Sequence, residues 1–318
     1  MAVRRRVGAC SLRAFLREEC PFLILDRRSS RFLIAGLLAI AACEKPHTDP
    51  ATVTDDFGDP VRLGGVAPAR IVSLNPATTE LLFALGAGSR LVGRSQFDLW
   101  PDSAKLVPDV GMGLQPNVEV VLGTHPDLVI LYASQDNRAA VARFRAAGVS
   151  TLALRTDHIS DFRRTVELLG EILNDSARAR SVADSVNRTL DRVRVATENL
   201  PRPAVFWQIW DAPLITIGAG SFLSELGDIA GGRNVYADIA KPSATVSLED
   251  VAKRNPDFVL AGPQGTRKIK DDRRWRIVRA VRDGKVLVVD TVLVGRPSVR
   301  LGEAAVSLAH LLHPGAVR

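Results

Sequence analysis

The chain contains one pattern twice, and this repeat constrains its fold more than any other feature of the sequence. The stretch 117–131, NVEVVLGTHPDLVIL, returns as 247–261, SLEDVAKRNPDFVLA. Each copy predicts a capping residue, a short helix with a glutamate in its first turn, a Pro-Asp turn and a buried strand. Helix, turn and strand recur in any α/β protein, so chance recurrence is the alternative interpretation.

A second pair of matching segments lies upstream of the first. Glu80-Leu81 and Glu225-Leu226 each precede a glycine, Gly86 or Gly231, at the same offset. The two pairs together indicate two related α/β lobes. Two lobes that are joined once enclose a cleft, and ligands prefer such interfaces.

The first 42 residues have the order of a secretory signal peptide of the lipoprotein type. Arg27, Arg28 and Arg31 precede an apolar run, 32–42, that is too short to span a bilayer comfortably. Cys43 follows the small residues that end this run, an order that resembles the bacterial lipobox. We expect Cys43 to be the lipidated N-terminus of the mature chain and residues 43–51 to be a polar tether. A plain signal peptide or a membrane anchor with an incidental cysteine is the alternative.

Most of the net charge lies in this leader. The whole chain of 318 residues has 42 Lys or Arg and 35 Asp or Glu, a net charge of +7. From Cys43 onwards the counts are 34 and 32, so the net charge of the mature part is +2. The positive net charge of the whole chain therefore does not indicate nucleic-acid binding. All three cysteines lie at or before position 43, which leaves the exported part without a disulfide.

Short strands and helices alternate through the rest of the chain. A hairpin is predicted over 52–63, and a buried strand at 70–74 precedes a helix with Asn75 as its cap and Pro76 at its first position. Further strands are predicted at 91–93, 128–131, 151–154, 204–209, 214–217, 258–261 and 286–289. Further helices are predicted at 139–147, 161–173, 222–230, 248–254, 275–282 and 303–312.

The longest helical pattern lies between the two halves, and Pro201 and Pro203 end it. Apolar residues recur along one of its faces, from Ala179 to Thr197. We predict two Rossmann-like α/β lobes, 52–174 and 201–318, joined by one long rigid helix at 175–200, with the ligand cleft between the lobes.

Several segments resemble the cobalamin and iron-chelate class of periplasmic binding proteins. They are 71–80 (IVSLNPATTE), Gly93 with 97–101 (FDLWP), 126–130 (PDLVI), 222–226 (FLSEL) and 246–249 (VSLE). Their order and spacing carry the resemblance, which runs from about residue 52 to the C-terminus. It implies a receptor that delivers a chelate to an ABC importer.

The resemblance also implies a docking role for two glutamates. Glutamates at the positions of Glu80 and Glu225, one on the first helix of each lobe, are implied to pair with arginines on the two permease subunits. A receptor with two similar anions suits a twofold transporter, because complementary charge fixes the orientation of the complex. The alternative for each is a solvated glutamate near a helix N-terminus.

Loops at the ends of the strands are expected to face the cleft. A large planar chelate needs aromatic faces and a few hydrogen-bond donors, and a corrin or porphyrin-like ligand fits the aromatic residues at predicted loop edges. The expected ligand-binding residues are Asn75, Phe97, Trp100, Met112, Tyr132, Trp210, Tyr236, Arg296 and Arg300. Met112 stands where the resemblance leads us to expect an aromatic residue. For the aromatic residues the alternative is ordinary core packing, and for the two arginines it is a surface pair that shapes a loop.

Rival classes lack their signatures in this sequence. There is no nucleophile elbow, no His-Glu-x-x-His and no phosphate-binding loop, and the five histidines are scattered. A bare metal ion would need clustered imidazoles or carboxylates. We therefore predict a non-enzymatic, lipid-anchored receptor of the cell envelope, a monomer with no cofactor, whose ligand is a cobalt corrinoid or ferric chelate. Siderophore or haem binding is the alternative within the class, and an envelope enzyme on the same scaffold is the alternative outside it.

Overall fold

The computed structural model describes residues 52–62 and 66–317. The predicted signal peptide, the tether and Cys43 lie outside these residues. The strands are β1 Thr52–Thr54, β2 Pro60–Arg62, β3 Ile71–Ser73, β4 Leu91–Arg94, β5 Leu128–Tyr132, β6 Ser150–Leu154, β7 Ala204–Gln208, β8 Trp210–Asp211, β9 Leu214–Ile217, β10 Arg233–Asn234, β11 Ser243–Thr245, β12 Phe258–Ala261 and β13 Val286–Val288.

Helices follow most of these strands. They are α1 Pro76–Ala84, α2 Val118–Leu122, α3 Gln135–Ala146, α4 Ile159–Ile172, α5 Ser176–Thr197, α6 Phe222–Ile229, α7 Leu248–Arg254, α8 Pro263–Asp271, α9 Arg279–Arg282, α10 Thr291–Val294 and α11 Leu301–Leu312.

The two halves of the chain have the same sheet topology. The N-terminal sheet has the order β4-β3-β5-β6 and the C-terminal sheet the order β10-β7-β12-β13, and every pair of neighbours in both sheets is parallel. The repeated phrase corresponds to α2 and β5 in one lobe and to α7 and β12 in the other. The predicted α/β fold with two related lobes is confirmed.

The capping residues in the two copies act as the sequence predicts. The side chain of Asn117 accepts hydrogen bonds from the first turn of α2, and that of Ser247 accepts one from Asp250 N in α7. The turns that follow also match, because His125 and Asn255 both have left-handed backbones, with φ of 50° and 48°. His125 therefore has a turn role, as its repeat partner predicts.

Successive residues of the central strands contribute to different cores, because successive side chains of a strand point to opposite faces of the sheet. Ile71 and Ile130 contribute to a core that lies between the sheets, whereas Val72 and Val129 contribute to one on the outer face of the N-terminal sheet. In the C-terminal sheet Val205 and Leu260 face the core between the sheets, and their neighbours Phe206 and Val259 face a third core.

We call the core between the sheets the shared core, because residues of both lobes and of α5 form it. Phe162 of α4, Leu190 of α5 and Leu308 of α11 all belong to it. Helix α5 packs against both α4 and α11. The described residues, 52–62 and 66–317, lie in one compact unit, and the predicted lobe boundaries at 52–174 and 201–318 remain predictions.

The structure differs from the sequence-based expectations mainly in the C-terminal half. The predicted helix at 275–282 is a 3₁₀ turn, Arg273–Ile277, followed by the short α9. Helix α8 and the three-stranded antiparallel sheet β11-β9-β8 were not predicted. Only Thr266 and Ile269 of α8 are buried, and most of its other residues are polar or charged, so its sequence contains few apolar residues that would mark a buried face.

The shared core generates a prediction for stability. Leu190 is buried in it, and truncation of a buried leucine removes apolar contacts and leaves a cavity. We expect Leu190→Ala to lower the free energy of unfolding by about 3 kcal/mol. Val195→Ala is the matched control, because Val195 lies on the exposed face of α5, and it should change stability by less than about 0.5 kcal/mol. Urea denaturation measures both, and equal effects would contradict the role of the shared core.

Candidate functional site

The candidate site is a cleft at the carboxyl ends of the parallel strands. In each sheet the chain leaves a central strand, β3 or β7, on one side and returns on the other. Such a switch point opens a crevice beside the strand ends. Leu74 and Asn75 follow β3, Ser95 follows β4, and Tyr132 ends β5.

A cavity of about 410 Å³ lies in this cleft, and residues of both lobes line it. Its lining residues are Leu74, Asn75, Pro76, Ala77, Ser95, Phe97, Met112, Gly113, Leu114, Tyr132, Thr156, Phe222, Thr291, Gly295, Arg296 and Pro297. A second cavity of about 630 Å³ shares Thr291 with the first and extends along the C-terminal lobe past Trp210 and Arg267. The two cavities have the size range of ligand sites.

The structure brings together most of the residues that the sequence predicts for the ligand site. Asn75, Phe97, Met112, Tyr132 and Arg296 all line the 410 Å³ cavity. Trp210 is exposed in the neighbouring cavity, where its indole N–H donates to Ala212 O at 3.1 Å.

Tyr236 is a wrong prediction. It is 0% exposed and packs edge-on against Phe206 in the core of the C-terminal lobe, with a ring-centroid distance of 6.0 Å. Its hydroxyl donates to Asp250 Oδ2 at 2.8 Å. Tyr236 therefore stabilises the lobe and does not face the cleft.

Trp100 and Arg300 also lie outside the cavity lining. The guanidinium of Arg300 stacks over the Trp100 ring at 5.0 Å from its centroid, and it forms an ion pair with Glu303 at 2.9 Å. Trp100 belongs to the N-terminal half and Arg300 to the C-terminal half. This pair therefore connects the two lobes beside the cleft instead of offering its faces to a ligand.

Two cleft residues have polar groups whose partners restrict what they can do. Tyr132 donates its hydroxyl proton to Asp157 Oδ1 at 2.6 Å, and burial, together with this bond, raises the pKa of Tyr132 to about 12. Asn75 uses its side-chain oxygen to cap α1 by accepting from Ala77 N at 3.0 Å. The amide nitrogen of Asn75 makes no hydrogen bond to any described residue, so it is available to a ligand.

Glu80 is not placed as the docking hypothesis requires. Its side chain is 1% exposed, so it presents no carboxylate to a partner surface. Its Oε2 accepts a hydrogen bond from the Ser298 hydroxyl, and its Oε1 lies 3.5 Å from Nη1 of Arg296. Burial is the main cause that raises the pKa of Glu80.

Glu225 is likewise engaged within the molecule. Its carboxylate bonds to Nδ1 of His158 and accepts from Ile159 N at 3.0 Å, and thereby binds the first turn of α4 in the N-terminal lobe. The hydrogen bond with Glu225 is the main cause that raises the pKa of His158. Glu80 and Glu225 thus reach reciprocally from the first helix of each lobe to the other lobe.

The sequence-based reasoning missed Thr156 and Phe222 as cleft residues. Thr156 follows β6, and the rule that strand ends face the cleft would have found it. The sequence predicts Phe222 as the first residue of a helix, and only the tertiary structure shows that the Phe222 N–H at this helix end donates to Asp157 O at 3.0 Å.

A different pair of glutamates has the exposure that a docking surface needs. Glu119 in the first turn of α2 and Glu249 in the first turn of α7 occupy equivalent positions in the repeat, and both are exposed. The side chain of Glu119 is 75% exposed, although it pairs with Arg143 at 2.6 Å. The matching glutamate in the two copies of the repeated phrase is the sequence signal that identifies this pair.

Within the described residues, no group of three or more His, Cys, Asp or Glu side chains is arranged to hold a metal ion. Over the same part of the chain, no helix is both long enough and apolar enough to cross a membrane.

The chain matches a family model described as periplasmic binding protein over residues 71–293, which is more than half of its length. The chain belongs to the periplasmic binding protein family. This membership agrees with the class that the sequence motifs resemble.

Relatives of known sequence cover most of the chain. An uncharacterized ABC transporter substrate-binding lipoprotein of Bacillus subtilis, YvrC, is 28% identical over 283 residues, which are 86% of this chain and 88% of the relative. A vitamin B12-binding protein of Vibrio vulnificus is 25% identical over 235 residues, 73% of this chain and 85% of the relative.

A solved structure has the same fold. The periplasmic haem-binding protein of Pseudomonas aeruginosa superposes with a TM-score of 0.70 at 25% identity, over 78% of this chain and 94% of that one. The arrangement of two α/β lobes is therefore shared with solved proteins.

The contact between His158 and Glu225 generates a prediction for pH dependence. Because the pKa of His158 is raised, the pair stabilises the fold below the ordinary value of 6.5, and this contribution is lost as the pH rises through the raised value. We expect Glu225→Gln to lower the pKa of His158 towards 6.5, as measured by NMR titration. It should cost more stability near about pH 6 than near about pH 9, by less than about 1 kcal/mol since the pair is half exposed.

A His158→Asn background provides the control, because Glu225→Gln should cost the same at both pH values there. An unchanged titration of His158 in Glu225→Gln would contradict the assignment of the pair.

Proposed function

We propose that this chain is the substrate-binding protein of an ABC importer, that it captures cobalamin or a related corrinoid in the cleft, and that it delivers this ligand to the membrane permease. The lining of the 410 Å³ cavity is the observation that carries the proposal. Phe97, Met112, Leu114, Tyr132 and Phe222 give it apolar and aromatic faces. A bulky planar ligand is recognised by such faces together with a few placed donors.

The donors in the cleft suit amide groups. The free amide nitrogen of Asn75 and the guanidinium of Arg296 both lie in the lining. The corrin ring carries amide side chains whose carbonyl oxygens accept hydrogen bonds from such groups.

The polar side chains of the cleft favour a ligand whose metal is already coordinated. Tyr132 stays protonated near neutral pH, because its pKa is about 12, and its proton is donated to Asp157. The sulfur of Met112 accepts from Nε2 of Gln96 at 3.0 Å. This bond uses one of the two lone pairs of the Met112 sulfur, so Tyr132 is the side chain that is held away from an open metal position. A corrinoid that brings its own axial ligands needs no such group from the protein.

We propose binding without chemical conversion of the ligand. The relatives whose names state an activity are binding proteins, which supports the same reading.

We propose that the receptor lies on the periplasm-facing side of the cell envelope, held by a lipid on Cys43. Its support is the order of basic residues, apolar run and cysteine in the leader, together with the Bacillus subtilis relative that is named a lipoprotein. The nine residues 43–51 would reach about 30 Å at most, so the domain would stay close to the membrane.

We propose Glu119 and Glu249 as the permease-docking pair in place of Glu80 and Glu225. Each lies in the first turn of a helix at the same position of the repeat, one in each lobe, and both are exposed. Hydrogen bonds from its own backbone N–H and from Ser247 lower the pKa of Glu249, which keeps this carboxylate charged. Two equivalent anions on a pseudo-twofold receptor match a twofold permease.

Titration of tryptophan fluorescence with cyanocobalamin, haemin and a ferric hydroxamate tests the proposed ligand. We expect the tightest binding with cyanocobalamin and recovery of the ligand unchanged. Phe97→Ala should weaken that binding about tenfold, because an aromatic contact contributes about 1 kcal/mol beyond its buried area. Leu106→Ala, at an exposed position outside the cavity lining, is the control and should bind as the wild type does.

Preference for haemin or the hydroxamate would move the assignment to the siderophore or haem alternative. Turnover of any ligand would favour an envelope enzyme.

The docking pair is tested by transport. We expect Glu119→Ala combined with Glu249→Ala to abolish uptake into cells while the purified protein keeps its ligand affinity, because both side chains lie outside the cavity lining. Each single variant should lose part of the uptake. Full uptake by the double variant would refute the role, and lost ligand binding would show that the substitutions act on the cleft instead.

A further inference from the structure

Four ionisable side chains form a buried cluster behind the cleft wall. Glu80 and Asp98 come from the N-terminal half, and both are buried. Arg296 and Arg300 come from the segment between α10 and α11 in the C-terminal half. We call these four residues the buried ion cluster.

Arg296 is the member of the cluster that faces the ligand site. Among the described residues that line the 410 Å³ cavity, it is the only one with a formal charge. Its side chain is 16% exposed, and its polar contacts are long: Nη1 lies 3.5 Å from Glu80 Oε1 and 3.5 Å from Phe97 O. A guanidinium has five N–H donors, so most of its donors are left for a ligand.

Glu80 is held in position to balance this charge. The Ser298 hydroxyl fixes Oε2, and Oε1, which faces Arg296, is buried without a hydrogen-bond partner among the described residues. Burial raises the pKa of both Glu80 and Asp98, and the charge of Arg296 opposes this shift at both carboxyls. The positive charge that the cleft wall shows to a ligand is therefore compensated from behind.

We propose that Glu80 is a specificity-determining residue that sets the charge preference of the cleft. Its carboxylate neutralises Arg296, so that the arginine offers hydrogen-bond donors without net charge and the cleft prefers a chelate with amide side chains over one with carboxylates. This inference rests on the proposed function, because it concerns the ligand of the same cleft. Glu80 acts on the ligand through Arg296 and does not contact it.

The size of the effect follows from the distance between the charges. A unit charge about 8 Å from a ligand carboxylate, at an effective dielectric constant of about 20, changes affinity by about 30-fold. Solvent at the cleft mouth weakens this electrostatic effect, and we therefore expect the affinity to change by about tenfold.

The experiment compares two probes with the same corrin ring. The side chains on the corrin ring of cyanocobalamin are amides, and its monocarboxylic derivative has one of them replaced by a carboxylate. Both probes share the same nucleotide loop with its phosphodiester, so they differ by one negative charge. The affinities of both are measured by calorimetry for the full-length wild type, for Glu80→Gln and for Glu225→Gln. Glu225→Gln is the matched control, because it also removes a glutamate that joins the lobes but lies away from Arg296.

We expect the wild type and Glu225→Gln to prefer the neutral probe to the same degree. Glu80→Gln should shift the ratio of affinities about tenfold towards the carboxylate probe. An unchanged ratio in Glu80→Gln, or an equal shift in Glu225→Gln, would overturn the inference while leaving the proposed function intact. A wild type that binds neither probe would overturn the proposed function itself.

Arg296→Met is a second variant, and we expect it to shift the ratio of affinities in the opposite direction. Without the arginine, the buried Glu80 charge is uncompensated, and the ratio should shift about tenfold towards the neutral probe. General damage to the fold would weaken both probes together and cannot produce opposite shifts in the two variants. If Glu80→Gln fails to fold, a ratio in Arg296→Met that equals that of the wild type overturns the inference on its own.

Discussion

The packing of α5 between α4 and α11 fixes the distance between the two sheets. Two glycines allow the helices to come this close. A Cβ at Gly170 of α4 would lie 2.3 Å from that of Ala179, and one at Gly302 of α11 would lie 2.8 Å from the Cβ of Thr189. Since no real Cβ tolerates these distances, the sandwich of three helices depends on glycine at both faces. The cleft at the carboxyl ends of the strands takes its width from this packing.

Polar contacts between the lobes lie around the cleft and complement the apolar ones behind it. Glu80 reaches Ser298 and Arg296, and Glu225 reaches His158 and α4, so that each lobe inserts one carboxylate into the other. The two contacts are related by the repeat, but their surroundings differ. The first is buried and touches the cleft wall, whereas the second is half exposed to water. Related sequence positions have therefore acquired different physical roles.

The sequence predicted the fold well because the features that specify it are local. Caps, Pro-Asp turns and buried strands stand in the repeated phrase itself. The rule that strand ends face the cleft led to Phe97, Met112 and Tyr132, which line the cavity. Burial by the other lobe is not a local property. The docking role that the resemblance implies requires Glu80 at the surface, and nothing near it in sequence shows that Ser298 covers it. The prediction that Tyr236 faces the cleft was wrong for the same reason, because Phe206 and Asp250, which enclose it, are distant from it in sequence.

The shared core also bears on how the receptor holds its ligand. A large rotation of one lobe against the other would expose apolar side chains such as Phe162, Leu190 and Leu308, which are now buried together. Exposure of apolar surface costs about 25 cal/mol for each Å², so even a few hundred Å² would consume several kcal/mol of ligand-binding free energy. A cleft whose lining is already assembled avoids this cost and loses little entropy when the ligand binds. Affinity should then depend on the match between the ligand and the existing lining, which makes the charge balance at Arg296 a direct determinant of which chelate is bound.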